Sequence, residues 1–370
     1  MKKIMIAGAG KIGSAIAGLL SATPDYEVTV ADSSPAALAS LKAGPRVQRL
    51  ALDLTDPLAF RTALSGQFAV LSAAPFHLTT SIAEAAVDLG VHYLDLTEDV
   101  ASTRRVKELA GTARSALIPQ CGLAPGFVSI VAAELCRRFD SLHSVRMRVG
   151  ALPQFPSNAL NYNLTWSTDG VINEYCEPCE AIVEGVLRQV PPLAEHEEFS
   201  LDGVTYETFN TSGGLGTLCE TLAGRVTNLN YKTIRYPGHA AIMKMLINDL
   251  RLRDRRHVLK DLLENALPVT LQDVVIVFVT VSGQREGRLM QETYAQKIYS
   301  RVTGEVKGGV LRSAIQITTA AGICTALDLL VEGKLPQRGF IRQEDIALGD
   351  FLANRFGSAY ADHPAERAAA

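Results

Sequence analysis

The chain has 370 residues, 47% of them hydrophobic and 20% charged, with a formal net charge of −3. That length exceeds a usual single core and points to two domains. The near-neutral charge excludes a broad attraction to nucleic acid or to an anionic membrane surface, so neither is an expected partner.

Residues 3–8 form a short apolar run, read as a buried parallel strand. Ile12, Ala15, Ile16, Leu19 and Leu20 then recur at helical spacing until Pro24-Asp25 ends the helix. Tyr26–Asp32 is a second strand closing on an acid. Ser33-Ser34-Pro35 opens the next helix, with Ser at the cap and Pro in the first turn. Further strands are expected at 46–53, 68–74, 92–97 and 116–121, with a helix at 80–89. Strands separated by helical runs imply parallel pairing with right-handed crossovers, a Rossmann-type α/β domain over residues 1–126. Beyond it, residues 145–150, 161–166, 204–210, 226–235 and 274–282 are rich in β-branched and aromatic side chains. They indicate an α+β substrate-binding and dimerisation domain on a mixed sheet, residues 127–320. A long apolar helix is expected at 308–330. Residues 321–362 can return to the first domain, and 363–370 form a tail expected to be disordered.

Lys2-Lys3 leads at once into a strand and a glycine turn, without an apolar leader, and a cytoplasmic setting is the expectation. The six scattered cysteines fit reduced thiols. Cys176-Glu-Pro-Cys179 has no second pair nearby to complete a zinc site, so no metal is expected. Arg251, Arg253, Arg255 and Arg256 alternate with Leu250, Leu252, Val258 and Leu259, the pattern of a helix with one wet side.

Gly8-x-Gly10-x-x-Gly13, set between a strand and a helix and followed by Asp32 at the end of the next strand, is a dinucleotide fingerprint. Gly8 permits the tight turn, Gly10 lets the backbone approach a pyrophosphate, and Gly13 lets helix and strand pack closely. Lys11 and Ile12 begin the helix whose free N–H groups face the phosphates. Asp32 can accept both ribose hydroxyls and repels a 2′-phosphate. At about 4 Å and an effective dielectric near 20, that repulsion is roughly 4 kcal/mol before screening. NAD is therefore the expected cofactor. Asp53 suits either the adenine edge or plain surface. Ligands sit at the carboxyl ends of the strands in such sheets, so residues 72–77 (Ala73, Ala74 and Pro75 among them), 95–99 and 121–126 border the nicotinamide site.

Ser72-Ala-Ala-Pro75, Gly90-Val-His-Tyr-Leu-Asp-Leu96, Gly122-Leu-Ala-Pro-Gly126 and Arg235-Tyr-Pro-Gly-His239 together resemble the saccharopine dehydrogenase superfamily. Tyr162-Asn-Leu-Thr-Trp-Ser167, Ile172-Asn-Glu-Tyr175 and Gly214-Leu-Gly-Thr-Leu-Cys-Glu220 are similar to the substrate domain of its lysine 6-dehydrogenase type. The likeness runs over nearly the whole chain in order and spacing. It implies a Rossmann domain interrupted by a substrate domain, an NAD-dependent oxidoreductase of lysine metabolism, and a homodimer or higher homo-oligomer. The implied reaction is oxidative deamination of the lysine side-chain amine to 2-aminoadipate 6-semialdehyde, which cyclises, with release of ammonia. Ala124 stands where saccharopine-forming reductases carry an acid, which disfavours that assignment. Two alternatives remain open. One is a dehydrogenase of saccharopine or another carboxylated secondary amine, which a second buried arginine facing the cleft would favour, with Arg312 and Arg342 the residues to inspect. The other is an NAD-binding sensor without turnover.

Glu98 and then Asp95, at the end of the fifth strand, are the first candidates for a base or ammonium partner, against roles as loop acids. His77 can face the nicotinamide. His92 begins a strand and belongs at the wrong end, and Cys121 reads as packing. His239 suits either a proton shuttle near neutral pH or a structural hydrogen bond. Arg235 suits a bidentate clamp on the α-carboxylate of an amino acid substrate. Trp166 suits either the aliphatic stem of that substrate or the core, and Tyr162 and Tyr236 are weaker candidates of the same kind.

Overall fold

The structure, a computed structural model, describes residues 1–361 apart from Pro45 and residues 304–308. The chain divides into two units. Unit 1 holds Met1–Thr97, Ala101–Gly122 and the described residues from Ile317 onward. Unit 2 holds Glu98–Val100 and the described residues of Leu123–Gln316.

Unit 1 begins with β1 (Lys2–Ala7), α1 (Lys11–Ser21), β2 (Tyr26–Asp32), α2 (Pro35–Ala39), β3 (Val47–Ala51), α3 (Pro57–Leu64), β4 (Ala69–Ser72), α4 (Thr79–Leu89), β5 (His92–Asp95), α5 (Val100–Ala110) and β6 (Ala116–Ile118). Every pairing among these strands is parallel. β1, β4 and β6 read as apolar runs because helices cover the sheet, while the edge strand β3 is mostly exposed. Met5, Val70, Tyr93 and Leu117 are buried in one cluster with Phe60 of α3 and Ile82 of α4. The helix starts are chemically marked. Ser34 accepts from the Ala37 N–H ahead of α2, Asp56 accepts from Leu58 and Ala59 ahead of α3, and each helix has Pro in its first turn.

Unit 2 contains α6 (Phe127–Cys136), β7 (Ser141–Pro153), α7 (Thr168–Cys176), β8 (Cys179–Val183), β9 (Val186–Val190), β10 (Glu197–Leu201), β11 (Val204–Asn210), α8 (Leu218–Thr221), β12 (Val226–Arg235), α9 (His239–Lys244), α10 (Arg256–Ala266), β13 (Asp273–Arg285) and β14 (Arg288–Tyr299). The sheet runs β10-β11-β12-β7-β13-β14, with β8 also on β12 and β9 on β8. β12 and β7 are parallel and the other pairings antiparallel, so the expected mixed sheet is present. Successive residues of a strand face opposite sides. Ile234 of β12 joins Leu152, Tyr206 and Ile276 in one cluster. A second cluster gathers Tyr162, Ile172 and Tyr175 with Phe209, Met243 and Leu259.

A short antiparallel pair, β15 (Arg301–Thr303) and β16 (Val310–Arg312), precedes α11 (Ala314–Val331). The Asp273 carboxylate accepts the N–H groups of Ala314 and Ile315 at the start of that helix. α11 is long and apolar enough to cross a membrane, but 89% of that stretch is buried inside the protein. The chain then rejoins the first sheet. β17 (Gly339–Phe340) pairs in parallel with β6, and α12 (Leu348–Ala353) follows. The completed order is β17-β6-β5-β4-β1-β2-β3, with its direction reversing between β1 and β4. Asp328 of α11 ties the return down, accepting from Tyr26 of β2, from Asn354 at 2.8 Å and from Arg355 at 2.6 Å.

Several expectations need correcting. Residues 161–166 are irregular, with one isolated bridge between Leu164 and Val269, because their aromatic side chains pack on helices rather than pair along a strand. The long helix starts at Ala314, not near 308; residues 310–312 are strand, and Gly308 lies outside the described residues. The junctions fall after Gly122 and Gln316 rather than at 126 and 320, and Glu98–Val100 belongs with unit 2. The tail expected at 363–370 lies outside the described residues.

Candidate functional site

In unit 1 the glycine turn joins β1 to α1 at the switch point. Gly8 has φ +109°, and a Cβ there would stand 2.7 Å from the Ala73 carbonyl oxygen. A Cβ on Gly13 would stand 2.0 Å from the Gly8 oxygen, so both glycines are required by close packing. Gly10 differs: its backbone is ordinary, and a Cβ would meet nothing within 4 Å. Its open side is the approach to the amides of Lys11, Ile12 and Gly13, and no side chain caps the helix. Asp32 is held against this turn. One oxygen accepts from the Ala9 N–H at 2.7 Å and the other from Ser34 N–H at 2.8 Å. The turn and the acid form one cradle that fits a dinucleotide.

Ala73 donates its N–H to Ala7, and Ala74 packs at the edge of the core beneath the turn. Pro75 and His77 are exposed, on and beside a short 3-10 turn. Asp53 is exposed and caps its own turn through Thr55, with the oxygen–hydroxyl contact at 2.7 Å. Asp95 is a structural tie, not a free base. It accepts from Tyr93 hydroxyl at 2.7 Å, Thr97 N–H at 3.0 Å and Gln120 N–H at 2.8 Å, joining the ends of β5 and β6. Burial raises its pKa to about 6. His92 accepts from Ala116 N–H, and the Cys121 thiol donates to Ile118 and is pushed well up by burial, so both serve packing.

Unit 2 gathers Glu98, Trp166, Arg235 and His239. Arg235, at the end of β12, is 3% exposed. Its Nε donates to the Tyr175 hydroxyl at 2.9 Å and its Nη1 to the Ile234 carbonyl at 2.8 Å. The guanidinium lies 5.1 Å from the centre of the Tyr162 ring. Among the described residues no carboxylate forms an ion pair with it. His239 reaches the same phenol. Its Nδ1 lies 2.9 Å from the Leu160 carbonyl, which can only accept, so Nδ1 carries the proton. Nε2 therefore accepts from Tyr175 hydroxyl at 3.0 Å. The chain runs Arg235 to Tyr175 to His239 to Leu160, each group donating to the next. Burial, with the Arg235 charge adding, lowers the His239 pKa to about 3. The proton shuttle near neutral pH is thereby corrected: His239 is a neutral hydrogen-bond acceptor that orients Tyr175. Glu207 seats it, accepting from Gly238 N–H at 2.9 Å and Ala240 N–H at 2.6 Å at the start of α9.

Tyr236 is also corrected. It follows Ile234 by two residues and so shares Ile234's side of the sheet, opposite Arg235, where it stacks on Tyr206 and donates to the Pro153 carbonyl. Tyr231 is on the Arg235 side, its ring against Gly214. The Trp166 indole lies over Gly170 of α7, 2.4 Å from where a Cβ would be, and packs on the apolar cluster. The Glu98 backbone crosses Gly213, whose Cβ would fall 2.4 Å from the Glu98 carbonyl oxygen.

The residue that sequence reading passed over is Glu174 on α7. It is 6% exposed, and its pKa is raised to about 8, by burial first and then by the Glu98 charge, with Arg235 opposing. It stood inside the quoted Ile172-Asn-Glu-Tyr175, but helical spacing alone did not mark it as buried. The hydroxyls of Tyr162 and Thr165 are also buried, and among the described residues neither has a hydrogen-bond partner. Cys176 and Cys179 are free and buried, burial pushing Cys179 up to about 12, and no cluster of metal-ligating side chains occurs among the described residues. Arg342 is held by Asp345 at 3.0 Å, while Arg312 is buried at the end of β16. Of the arginine run, Arg253 donates to Cys176 carbonyl and Arg256 pairs with Glu177, so these two brace α7.

Residues 4–117 match the family model described as the saccharopine dehydrogenase NADP binding domain, and residues 122–355 that of the saccharopine dehydrogenase C-terminal domain. The chain is 25% identical over 179 residues to the saccharopine dehydrogenase [NADP(+), L-glutamate-forming] of Schizosaccharomyces pombe, covering 46% of this chain and 40% of that one. It is 22% identical over 191 residues to the mitochondrial alpha-aminoadipic semialdehyde synthase of Mus musculus, covering 50% of this chain and 21% of that one. The chain thus spans less than half the length of these curated relatives. Among solved structures it superposes on the saccharopine dehydrogenase (L-Glu forming) of Saccharomyces cerevisiae with a TM-score of 0.78 and 17% identity, over 95% of this chain and 97% of that one. It also superposes on the homospermidine synthase of Legionella pneumophila, solved with NAD, with a TM-score of 0.64 and 12% identity, over 98% and 90%. At such identities the likeness is one of fold.

Proposed function

The chain belongs to the saccharopine dehydrogenase family, and on that footing we propose that it oxidises the side-chain amine of L-lysine with NAD, releasing ammonia. The observation that carries this reading is Arg235: a buried guanidinium, oriented by Tyr175 and His239, without an ion-pair partner among the described residues. Burying a charge unpaired is costly, so such a group suits an anionic ligand. The α-carboxylate of an amino acid meets that need through two parallel N–H bonds, and the unpartnered Tyr162 hydroxyl adds a donor. A cofactor sensor without turnover has no use for this anchor.

Asp32 supports NAD. Each of its oxygens already accepts one N–H and keeps a lone pair for a ribose hydroxyl, whereas a 2′-phosphate would meet a like charge. When bound, the nicotinamide ring accepts the hydride from the amine-bearing carbon. What the chain must supply is a deprotonated amine. A free lysine amine has a pKa near 10.4, so removing its proton at pH 7 costs roughly 4–5 kcal/mol. The Trp166 indole suits the aliphatic stem, and His77 remains the proposed neighbour of the nicotinamide. The likeness to saccharopine dehydrogenases supports a second reading, in which the substrate is a secondary amine with a further carboxylate, as saccharopine is.

Mixing the protein with NAD and L-lysine at alkaline pH should form NADH and ammonia in equal amounts. NADH with saccharopine and none with lysine would decide for the second reading; NAD binding without turnover of either would decide for a sensor. Arg235→Gln should raise the KM for lysine at least tenfold and leave that for cadaverine, which lacks the carboxylate, nearly unchanged. Equal losses for both would remove Arg235 from the carboxylate site.

A further inference from the structure

Glu174 lies one helical turn after Gly170 on α7, so both are on one face of that helix. Glu98 Oε1 comes to 3.3 Å from the Cβ position of Gly170. The Glu98 carboxylate thus lies over the turn that carries Glu174. The Trp166 indole covers the same spot, and Tyr231 has Glu174 among its charged neighbours. Among the described residues no hydrogen bond and no ion pair reaches the Glu174 side chain, although the residue is 6% exposed; the charges that face it are Glu98 and, opposing it, Arg235. A carboxyl buried without a donor needs a partner from elsewhere. Two adjacent carboxyls hold one proton more readily than two charges. Beside an aromatic face, such a pair suits an ammonium group.

Resting on the functional reading above, we propose that Glu174, with Glu98 beside it, receives the reacting amine of the substrate and takes its proton. At pH 7 the ammonium first displaces to solvent the proton that Glu174 holds, leaving a carboxylate–ammonium pair. In turnover the Glu174 carboxylate oxygen then accepts H+ from R–CH2–NH3+; an N–H bond breaks, an O–H bond forms, and the lone pair stays on nitrogen. Glu98 is a positioning residue that strengthens the hold of Glu174 on that proton. A carboxyl raised to about 8 stands between the ordinary carboxylate range and the amine, which suits exchange of a proton. An α-ammonium that only had to be held would be better matched by an ionised, hydrogen-bonded carboxylate.

Calorimetric titration of the cofactor-free protein in two buffers of different ionisation enthalpy counts the protons released on binding. At pH 7 the wild type should release close to one proton per L-lysine or cadaverine. It should release none per norleucine, which lacks the side-chain amine. Glu174→Gln should release none, and Glu98→Gln less than the wild type. Unchanged release in Glu174→Gln, equal release with norleucine, or binding of neither amine overturns the proposal. Infrared difference spectra keep the test open should that variant fold poorly: lysine should remove a protonated-carboxyl band from the wild type, and a band that persists overturns the proposal. Proton release with cadaverine but no NADH from lysine sinks the functional reading and supports the amine site. NADH from lysine with an unaltered proton count in Glu174→Gln sinks the amine site alone.

Discussion

The raised pKa of Glu174 makes the stability of unit 2 depend on pH in a direction opposite to that of a salt-bridged acid. Burial and the Glu98 charge lift the group from 4.5 to about 8 in the folded state. Between those values the folded chain holds a proton that the unfolded chain has lost. Stability therefore falls as pH rises through that window and levels off above it. At about 1.36 kcal/mol for each pKa unit, the ceiling is roughly 4–5 kcal/mol. Relaxation of the charged site would bring this nearer about 2 kcal/mol, still a large share of a typical 5–15 kcal/mol. Glu174→Gln keeps the shape and removes the titration. The variant should match the wild type within about 1 kcal/mol near pH 5, where the carboxyl is protonated, and exceed it by about 2 kcal/mol or more near pH 9. Trp166, the only tryptophan, lies against Gly170 one turn from Glu174, so its fluorescence reports the unfolding of this unit in urea. The same difference between variant and wild type at both pH values would refute the reasoning.

Four further outcomes follow from the same sites. Asp32→Ala should narrow the preference for NAD over NADP at least tenfold in dissociation constants measured by cofactor fluorescence; a wild type that already prefers NADP would refute the role of this acid. Gly10→Ala should fold and melt normally yet lose dinucleotide affinity, because its Cβ projects into open space, whereas Gly13→Ala should be destabilised by several kcal/mol through its 2.0 Å clash; thermal melts with and without NAD separate the two. Tyr175→Phe should strand Arg235 Nε and His239 Nε2, cost about 1–3 kcal/mol in stability and weaken lysine binding. With the His239 pKa lowered to about 3, no limb from that imidazole should appear in the kcat/KM profile between pH 5 and 8, and a limb near pH 6.5 abolished by His239→Gln would contradict it.

The dinucleotide cradle was legible because its parts lie within one strand–turn–helix–strand run. Gly8, Gly10, Gly13 and Asp32 meet through local geometry, so their spacing carries nearly all the information. The alternation of strands and helices likewise declared a parallel sheet, whereas the return that β17 completes was implied by the family resemblance rather than by a local pattern. The second site is assembled from residues near 98, from 162 to 175 and from 231 to 239, brought together by sheet order and by a backbone crossing at Gly213. Strand parity, which one residue of boundary error inverts, sent Tyr236 to the far side and kept Tyr231 beside Arg235. Burial did the rest. It made His239 neutral, engaged Asp95 as a tie and lifted Glu174, since the ionisation of a side chain is set by the dielectric and charges that tertiary contacts put around it.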